Sequence, residues 1–268
     1  MRKLVRRYVE KPWGRTELPA IFARSEGGRI GEIWFEDESG QDQPLLVKYI
    51  FTTERLSIQV HPSDAQAQLL GLPRGKEEIW YILDCEPNAR LGIGLNRSLS
   101  PEAFRAAALD GSLEQFIDWK PVKPGDCYFI PAGTIHAIGA GIALAEIQQN
   151  SDITYRLYDY GRPRELHLDA GAAVSKLETY NLPLIEAPLG RDARLVSTEE
   201  APFWVDLLHW DEPQQVKLPF NGPMWFTPLE GSGTIGSETW TKGECWLVDA
   251  GQALTTKGPA SVLLAGPR

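Results

Sequence analysis

The feature that most constrains the fold is a succession of short apolar segments separated by turn-forming residues. The segments are rich in β-branched and aromatic residues, which is typical of buried strands. They are GEIWFE (31–36), LLVKYIF (45–51), LSIQV (56–60), EIWYIL (78–83), CYFIPA (127–132) and ALAEIQ (143–148). This succession predicts an all-β, mainly β chain arranged as a sandwich or a barrel.

Helical signals are confined to two segments. Residues 63–71 carry Ser63 as a candidate N-cap, and residues 100–117 begin with Ser100 as a cap and Pro101 in the first turn. Serine accepts a hydrogen bond from a free N–H at a helix start, and proline is tolerated there. We expect the second segment to form a small helical insertion, at about 98–118, between strands.

An internal repeat indicates two β units. KPGDCYFIPAGTIH (123–136) aligns without gaps with TKGECWLVDAGQAL (241–254), and each copy predicts a strand, a glycine turn and a second strand. The first copy ends in His136, whereas the second ends in Leu254. The second unit is therefore predicted to be structural.

The boundaries of these units follow from a change in composition. Residues 183–202 lose the alternating pattern and are rich in proline and acidic residues, as a connector would be. We therefore predict a catalytic metal-binding unit at 1–182, a connector at 183–202 and a degenerate β unit at 203–268.

Charge and cysteine content exclude several classes of protein. The chain has 268 residues and a formal net charge of −9, which disfavours nucleic acid and anionic membranes as partners. The cysteines at 85, 127 and 245 form no C-x-x-C, so we interpret them as buried thiols. No segment has the length and apolarity of a membrane span, and a cytoplasmic location is expected.

Histidine is scarce, which makes its placement informative. The chain has 4 histidines, at 61, 136, 167 and 209. His61 and His136 lie in predicted buried strands. Together with Gln59 of SIQVHP and a glutamate of GKEEIWY they form a set of potential metal ligands that is scattered along the chain. Two imidazoles, a carboxylate and an amide oxygen suit zinc or another borderline divalent ion, with a coordination position left for water or substrate. Because strand side chains alternate, only one of Glu77 and Glu78 can face the same interior.

Longer motifs resemble a known family. The spacing Gly125-x5-Pro131-x-Gly133-x2-His136 resembles the second motif of the cupin superfamily. LLVKYIFTTERLSIQVHPSD, GKEEIWYIL, PAGTIHAIGAGIALAEIQQNSDITYRLYDY and RELHL resemble the type I mannose-6-phosphate isomerases, in their short bacterial-type form. The resemblance covers about residues 5 to 180. It implies two cupin-like β-barrel or jelly-roll units, one zinc ion per chain and a monomer.

The resemblance also implies a set of site residues. The metal ligands would be Gln59, His61, Glu78 and His136; the motif match selects Glu78 over Glu77. Arg156 would stabilise an enediolate, and Lys76, Glu146 and Asp152 would be candidates for proton transfer. Lys48 and Ser57 would bind the substrate phosphate.

Several of these roles have structural alternatives. Arg156 could form an ordinary ion pair with Asp152 or Asp159, and Lys76 could simply be solvated. Glu146 and Asp152 could orient Arg156 and Lys76 instead of moving a proton, so the proton carrier stays open.

Other residues of the same motifs carry no predicted chemistry. His167 and His209 are expected to be structural, and Trp34, Trp80 and Tyr81 are interpreted as core packing or pocket wall. Gly75 stands where larger relatives often have a histidine, so a proton-transfer role for that histidine is absent here.

The resulting functional prediction is a metal-dependent aldose–ketose isomerase of carbohydrate metabolism. It would interconvert mannose 6-phosphate and fructose 6-phosphate through an enediol. One alternative is a cupin acting on another sugar phosphate or an unphosphorylated aldose, since the architecture hosts many reactions. A second is a metal-containing sugar-binding protein without turnover, which would be expected to lack Arg156 or Lys76.

Overall fold

The structure is a computed structural model that describes residues 1–23, 28–218 and 222–268. In chain order the strands are β1 (Arg2–Lys3), β2 (Val5–Arg15), β3 (Ile30–Glu36), β4 (Leu45–Phe51), β5 (Ile58–Val60), β6 (Glu78–Cys85), β7 (Arg90–Leu95), β8 (Ile117–Pro121), β9 (Asp126–Ile130), β10 (His136–Ile138), β11 (Ile142–Gln149), β12 (Tyr155–Tyr158), β13 (Ile185–Glu186), β14 (Ala193–Val196), β15 (Phe203–Trp210), β16 (Gln215–Val216), β17 (Met224–Glu230), β18 (Ser232–Ile235), β19 (Glu238–Thr241), β20 (Trp246–Val248), β21 (Leu254–Thr256) and β22 (Ala260–Pro267). The α-helices are α1 (Asp64–Gln68), α2 (Pro101–Asp110), α3 (Leu113–Phe116) and α4 (Leu168–Val174), and a 3-10 turn covers Ala20–Phe22. The predicted all-β class is confirmed.

Two antiparallel sheets from the first part of the chain face each other, and we call them the N-terminal sandwich. Within the described residues, one sheet has the order β13-β9-β6-β11-β4-β3-β2 and the other has the order β12-β5-β10-β7-β8. A cluster that includes Ile50, Trp80, Ile93, Tyr128 and Leu144 fills part of the space between them. The remaining space holds polar side chains.

Strand alternation decides which side chains enter that space. In β4, Ile50 belongs to the interior cluster and Lys48 lines a cavity beside it. Val47 and Tyr49, on the opposite face, pack in a separate core outside the sandwich. The charged residue within LLVKYIF is therefore directed inward by the period of the strand.

The outer faces of the N-terminal sandwich are covered by other elements. Phe104 of α2 packs with Ile58, Val60 and Leu157 on the outer face of the five-stranded sheet. α2 begins as predicted, because Ser100 Oγ accepts a hydrogen bond from the Ala103 N–H. The shorter α1 also begins as predicted, with a capping box formed by Ser63 and Gln66.

A second pair of sheets, which we call the C-terminal sandwich, is formed mainly by the end of the chain. The described strands give a sheet of order β1-β20-β17-β22-β15-β14 and a smaller sheet of order β16-β21-β18-β19. Phe226, Trp240 and Leu264 are buried between these sheets. The seven-stranded and six-stranded sheets share a core in which Tyr49 and Phe129 lie with Phe203.

The internal repeat is present in the structure. Gly125 and Gly243 have φ angles of 88° and 80°, and Gly133 and Gly251 have φ angles of 83° and 76°. These left-handed angles favour glycine, as expected for turns. The acidic residues are equivalent too, since Asp126 accepts a hydrogen bond from the Lys123 N–H and Glu244 accepts one from the Thr241 N–H. The equivalent of His136 is Leu254, which lies in the apolar core of the C-terminal sandwich.

Among the described residues, no helix combines the length and the apolarity needed to cross a membrane.

Candidate active site and metal centre

Three potential metal ligands meet inside the N-terminal sandwich. His61 follows β5, Glu78 opens β6 and His136 opens β10. One nitrogen or oxygen from each lies within 4.8 Å of the others. The Nε2 atoms of His61 and His136 are 3.6 Å and 3.4 Å from the Glu78 oxygens. Ligand bonds of about 2.1 Å at tetrahedral angles separate donor atoms by roughly 3.4 Å, so this spacing fits one divalent ion.

The backbone fixes which nitrogen each histidine presents. The Nδ1–H of His61 donates to Ile153 O at 2.9 Å, and the Nδ1–H of His136 donates to Thr134 O at 2.8 Å. Nε2 is therefore the atom that carries the lone pair in each ring, and both Nε2 atoms lie near Glu78. Hydrogen bonds of this kind orient metal-binding histidines in proteins.

Burial keeps both imidazoles neutral, as metal binding requires. Burial lowers the pKa of His136 to about 4. Burial, together with the positive charge of Lys76, holds the pKa of His61 well below its usual value. Neutral imidazoles offer their lone pairs to a cation without first losing a proton.

The Glu78 carboxylate is the clearest indication that a cation belongs here. Burial, and then the charge of Glu146, raise the pKa of Glu78 above its ordinary value. Its oxygens are buried and accept no well-formed hydrogen bond from the described residues. Lys76 Nζ lies 2.9 Å from Glu78 Oε2 and 3.1 Å from His61 Nε2. Two of the candidate ligands thus already contact a positive charge, and a metal ion would satisfy both carboxylate oxygens.

Gln59 completes a row of interior side chains across the five-stranded sheet. It pairs in register with His136 of β10 on one side and with Arg156 of β12 on the other. Its Nε2 is 3.3 Å from His136 Nε2. Rotation of the amide by a half turn would present Oε1 to an ion instead, so Gln59 can serve as a fourth ligand.

A cavity of ≈ 270 Å³ opens beside this cluster. The cavity is lined by seven of the residues singled out from the sequence, namely Lys48, Ser57, Gln59, Lys76, Glu146, Asp152 and Arg156. His61, Glu78 and His136 lie behind Gln59 and Lys76, which they contact. All ten sequence-predicted site residues are therefore brought together.

Two buried ion pairs dominate the electrostatics of the cavity. Lys48 Nζ is 3.2 Å from Glu146 Oε1 and also donates to Gln148. Burial opposes the charged form of Glu146, but the positive charges of Lys48 and Lys76 outweigh it, so the pKa of Glu146 is lowered. Burial also opposes the charge of Lys76, yet Glu78 and Glu146 raise its pKa. Both residues are therefore held ionised.

Arg156 does not make the ion pair considered as its alternative role. Asp159 is bound by Arg164 Nε at 2.6 Å and by Arg162 Nη2 at 3.2 Å. Within the described residues Arg156 forms no ion pair, and its Nε is buried without a hydrogen-bond partner. Its Nη1 donates to Glu165 O at 2.7 Å. The rest of the guanidinium is available to a ligand in the cavity.

The two remaining acids differ in their surroundings. Glu146 Oε2 accepts a hydrogen bond from Trp80 Nε1 at 3.0 Å, in addition to its contact with Lys48. Asp152 lies on the loop between β11 and β12 and is exposed at the mouth of the cavity that it lines. It forms no hydrogen bond or ion pair through its side chain in the parts of the chain that the structure describes. Its carboxylate is therefore open to a ligand.

Sequence reasoning missed three charged residues that also line the cavity. These are Lys11, Glu32 and Arg164. Glu32 is 7% exposed and lies 3.1 Å from Lys11 Nζ. A charged residue inside the apolar segment GEIWFE was a usable signal for Glu32, as it was for Lys48. Arg164 lies in RELHL but received no role, and Lys11 offered no signal beyond a basic N-terminal segment.

Three of the residues expected to be structural lie away from the metal-ligand cluster or in a packed core. Trp80 and Tyr81 are buried in the two cores on either side of their sheet. His209 contacts Ser261 and Asp211 in the C-terminal sandwich. Glu77 lies outside the cluster formed by Glu78 and the histidines.

Known proteins are similar to this chain in both sequence and fold. Mannose-6-phosphate isomerase ManA of Bacillus subtilis (strain 168) is 39% identical over 171 residues, which are 59% of this chain and 53% of ManA. The match thus spans about half the length of ManA. GmuF of the same organism, described as a probable mannose-6-phosphate isomerase, is 38% identical over 228 residues, which cover 78% of this chain and 70% of GmuF. No protein-family profile matches the chain.

A solved structure extends the similarity over the whole fold. The crystal structure of the mannose 6-phosphate isomerase from Bacillus subtilis superposes with a TM-score of 0.82. It covers 99% of this chain and 99% of the other at 27% identity. The family predicted from the sequence is confirmed, and the chain belongs to the mannose-6-phosphate isomerases of the cupin superfamily.

Proposed function

We propose that the chain interconverts mannose 6-phosphate and fructose 6-phosphate through an enediol, with one zinc ion held by Gln59, His61, Glu78 and His136. The observation that carries the proposal is that a cluster of candidate metal ligands lies beside a charged cavity of ≈ 270 Å³. The unsatisfied Glu78 oxygens and the neutral imidazoles favour a divalent ion. The basic residues of the cavity favour a phosphorylated ligand.

The phosphate end of the substrate is assigned to Lys48 and Ser57. Lys48 supplies a fixed positive charge, and the Ser57 hydroxyl supplies a hydrogen-bond donor. Ser57 is buried and precedes Gln59 by two residues, so both side chains project from the same face of the chain. Binding the phosphate would fix the distance between the sugar and the metal cluster.

The reaction requires one proton to move between two carbons. A base removes the proton from C2 of the open-chain aldose, the electron pair forms a C1–C2 double bond, and O1 takes a proton. The enediol then gains a proton at C1 while O2 loses its hydrogen, which creates the C2 carbonyl of the ketose. The base and the acid return to their starting states.

Asp152 is the side chain we assign to this proton. Lys76 is held protonated by Glu78 and cannot accept a proton in that state. Glu146 is paired with Lys48, and its Oε2 accepts a hydrogen bond from Trp80 Nε1, while Oε1 accepts no well-formed hydrogen bond from the described residues. Asp152 lines the cavity with its carboxylate open, which supports its role as the general base.

The developing negative charge on O1 and O2 needs stabilisation. A divalent ion, when bound, would polarise these oxygens as a Lewis acid. Arg156 would donate hydrogen bonds to the same oxygens, and Lys76 would add a second positive charge near the ligand cluster. The residues thus supply charge where the enediolate forms.

We expect zinc as the physiological ion, a monomeric chain and a location in the cytoplasm. Elemental analysis of protein purified without added metal would check the ion. Size-exclusion chromatography with light scattering would check the monomer.

Proton transfer can be tested with solvent deuterium. Mannose 6-phosphate is incubated with the protein in D2O and followed by NMR. The proposal predicts fructose 6-phosphate that carries deuterium at C1. The Asp152 carboxyl group exchanges its proton with D2O and would return a deuteron to the substrate. Unphosphorylated mannose serves as the control and is expected to react far more slowly.

Two outcomes would contradict the proposal. Equal turnover of mannose would indicate a cupin that acts on unphosphorylated aldoses. Binding of mannose 6-phosphate without any conversion would indicate a sugar-binding protein.

A further inference from the structure

Arg156 is held at the edge of its sheet by a residue outside the cavity. β12 is the last strand of the five-stranded sheet, and its pairing with β5 shifts register between Arg156 and Tyr158. A short edge strand with an irregular register does not by itself fix the direction of an arginine. Something on the open side of β12 must restrain it.

His167 supplies that restraint. The backbone N–H of His167 donates to Arg156 O at 2.7 Å, and the Arg156 N–H donates to His167 Nδ1 at 3.1 Å. The two bonds imitate the pairing of a further strand, with an imidazole nitrogen in the place of a carbonyl oxygen. Glu165 O adds a third contact by accepting from Arg156 Nη1 at 2.7 Å.

The restraint is itself rigid. His167 precedes α4, and the Gly171 N–H donates to His167 O at 2.7 Å. A Cβ added at Gly171 would lie 2.4 Å from a methyl carbon of Leu157, so α4 packs on β12 without space to spare. The position of His167 relative to β12 is therefore fixed by close contact.

Arg156 lies in register with two candidate metal ligands on neighbouring strands. On its inner side it pairs with Gln59, which in turn pairs with His136. Its Nε atom is buried without a partner among the described residues. A displacement of the Arg156 backbone would move the guanidinium relative to both candidate ligands.

We infer that His167 is a positioning residue, whose Nδ1 acceptor holds the Arg156 backbone in line with Gln59 and His136. The inference rests on the proposed function in one respect, namely that Arg156 acts on the reacting oxygens. His167 itself does not line the cavity and touches no reacting atom.

Two isosteric variants test the role of Nδ1. His167→Asn places an amide oxygen on Cγ, where Nδ1 stands, and keeps the acceptor. His167→Gln carries its polar atoms one bond further out and loses it. We expect kcat of His167→Gln to fall about ten- to a hundredfold with little change in KM, since misplacement by about 1 Å can cost that much. His167→Asn should retain most of the wild-type kcat.

A double-mutant cycle separates positioning from general destabilisation. His167→Gln is compared in the wild-type and Arg156→Lys backgrounds. If His167 acts through the Arg156 guanidinium, its loss should cost less than about threefold once lysine replaces Arg156. An equal loss in both backgrounds would overturn the inference, as would an Asn variant as impaired as the Gln variant.

A measurement independent of turnover keeps the two proposals apart. Hydrogen exchange of the Arg156 amide, followed by NMR, should be at least about tenfold faster in His167→Gln and near wild type in His167→Asn. Unchanged exchange in both variants would overturn the inference even in an active enzyme. A wild-type protein without isomerase activity would contradict the proposed function, while the exchange result would still decide whether His167 holds Arg156.

Discussion

Lys48, Lys76, Glu78 and Glu146 place charged groups in the interior of a β-sandwich, where an unpaired charge is costly. Each is accompanied by an opposite charge within 3.2 Å, but the Glu78 oxygens stay without well-formed hydrogen bonds from described residues. Such an arrangement lowers the stability of the fold unless a bound ligand or metal ion offsets the cost of the buried charges.

Asp152→Asn tests the assignment of the proton carrier. The substitution removes the base but keeps the shape, so kcat should fall by about 10²–10⁴-fold, as for loss of a general base. Metal content should not change. The comparison variant is Glu146→Gln, which disturbs the pairing of Lys48 and should raise KM as well. A fully active Asp152→Asn enzyme would mean that Glu146 or Lys76 transfers the proton instead.

Ser57→Ala tests the phosphate assignment. Loss of one hydrogen bond to a charged group should raise KM for mannose 6-phosphate about ten- to a hundredfold. The slow reaction with unphosphorylated mannose should be unaffected, because that substrate has no phosphate to lose. Steady-state kinetics with both sugars provides the measurement, and an equal effect on both would remove Ser57 from the phosphate site.

Glu78 should control the pH dependence of metal binding. Its pKa is raised by burial and by Glu146, whereas that of His136 is about 4. As pH falls through the pKa of Glu78, the carboxylate gains a proton and the affinity for zinc should weaken by up to about tenfold per pH unit. Competition titrations with a chromophoric chelator at about pH 8 and about pH 5 would detect this. Equal affinity at both values would show that Glu78 is not a ligand.

At the scale of elements, the two repeat copies show why only one carries a site. Both copies form strand, turn and strand with left-handed glycines. In the first copy Gly133 donates its N–H to His61 O and accepts a hydrogen bond from the Lys176 N–H. The turn at Gly133 therefore links the segment that carries His136 to the segment that carries His61. In the second copy, no atom of the described residues lies within 4 Å of a Cβ added at the turn glycine, Gly251.

Gly133→Ala and Gly251→Ala form a matched pair. Both substitutions force alanine into a left-handed conformation, which costs about 1 kcal/mol. At Gly133 the new Cβ would also lie 2.9 Å from Val174 O, so the total cost should reach about 2–3 kcal/mol. Chemical denaturation gives the free energy of unfolding, and zinc titration should show weaker binding for Gly133→Ala alone. Equal costs would mean that the first turn is no more constrained than the second.

Element by element, the strands and helix caps were predictable because they depend on local patterns. The inward direction of Lys48 and Glu78 follows from the period of a strand. The contact between His167 and Arg156 was not predictable, because an imidazole acting as a strand partner leaves no pattern in sequence. The inward placement of Glu32 and Lys11 depends on β2 and β3 closing over the cavity, which is a tertiary effect.

At the scale of the whole molecule, the sheets form a support for the cavity. The seven-stranded sheet lines the cavity on one face and packs on the six-stranded sheet with the other. β1 pairs with β20, so the start of the chain joins the C-terminal sandwich. The proposed limits at 1–182, 183–202 and 203–268 stay a prediction, since sheet pairing does not by itself define units that fold separately.

The family was predictable from sequence because its motifs carry the buried charges of the cavity. The zinc ion, the monomeric state and the individual roles of the site residues stay predictions. They depend on affinity and reactivity, which side-chain placement alone does not determine.

We propose that the His61–Glu78–His136 cluster makes this chain a metal-dependent isomerase of mannose 6-phosphate. The most direct test measures conversion to fructose 6-phosphate by the purified protein, after chelation and after addition of zinc, with His136→Ala as the metal-site variant and His209→Ala as its control. We predict activity that is lost on chelation, restored by zinc, absent in His136→Ala and retained in His209→Ala. Full activity in metal-stripped His136→Ala would show that the cluster is not required for catalysis, and no conversion by the zinc-loaded wild type would show that the chain does not isomerise mannose 6-phosphate.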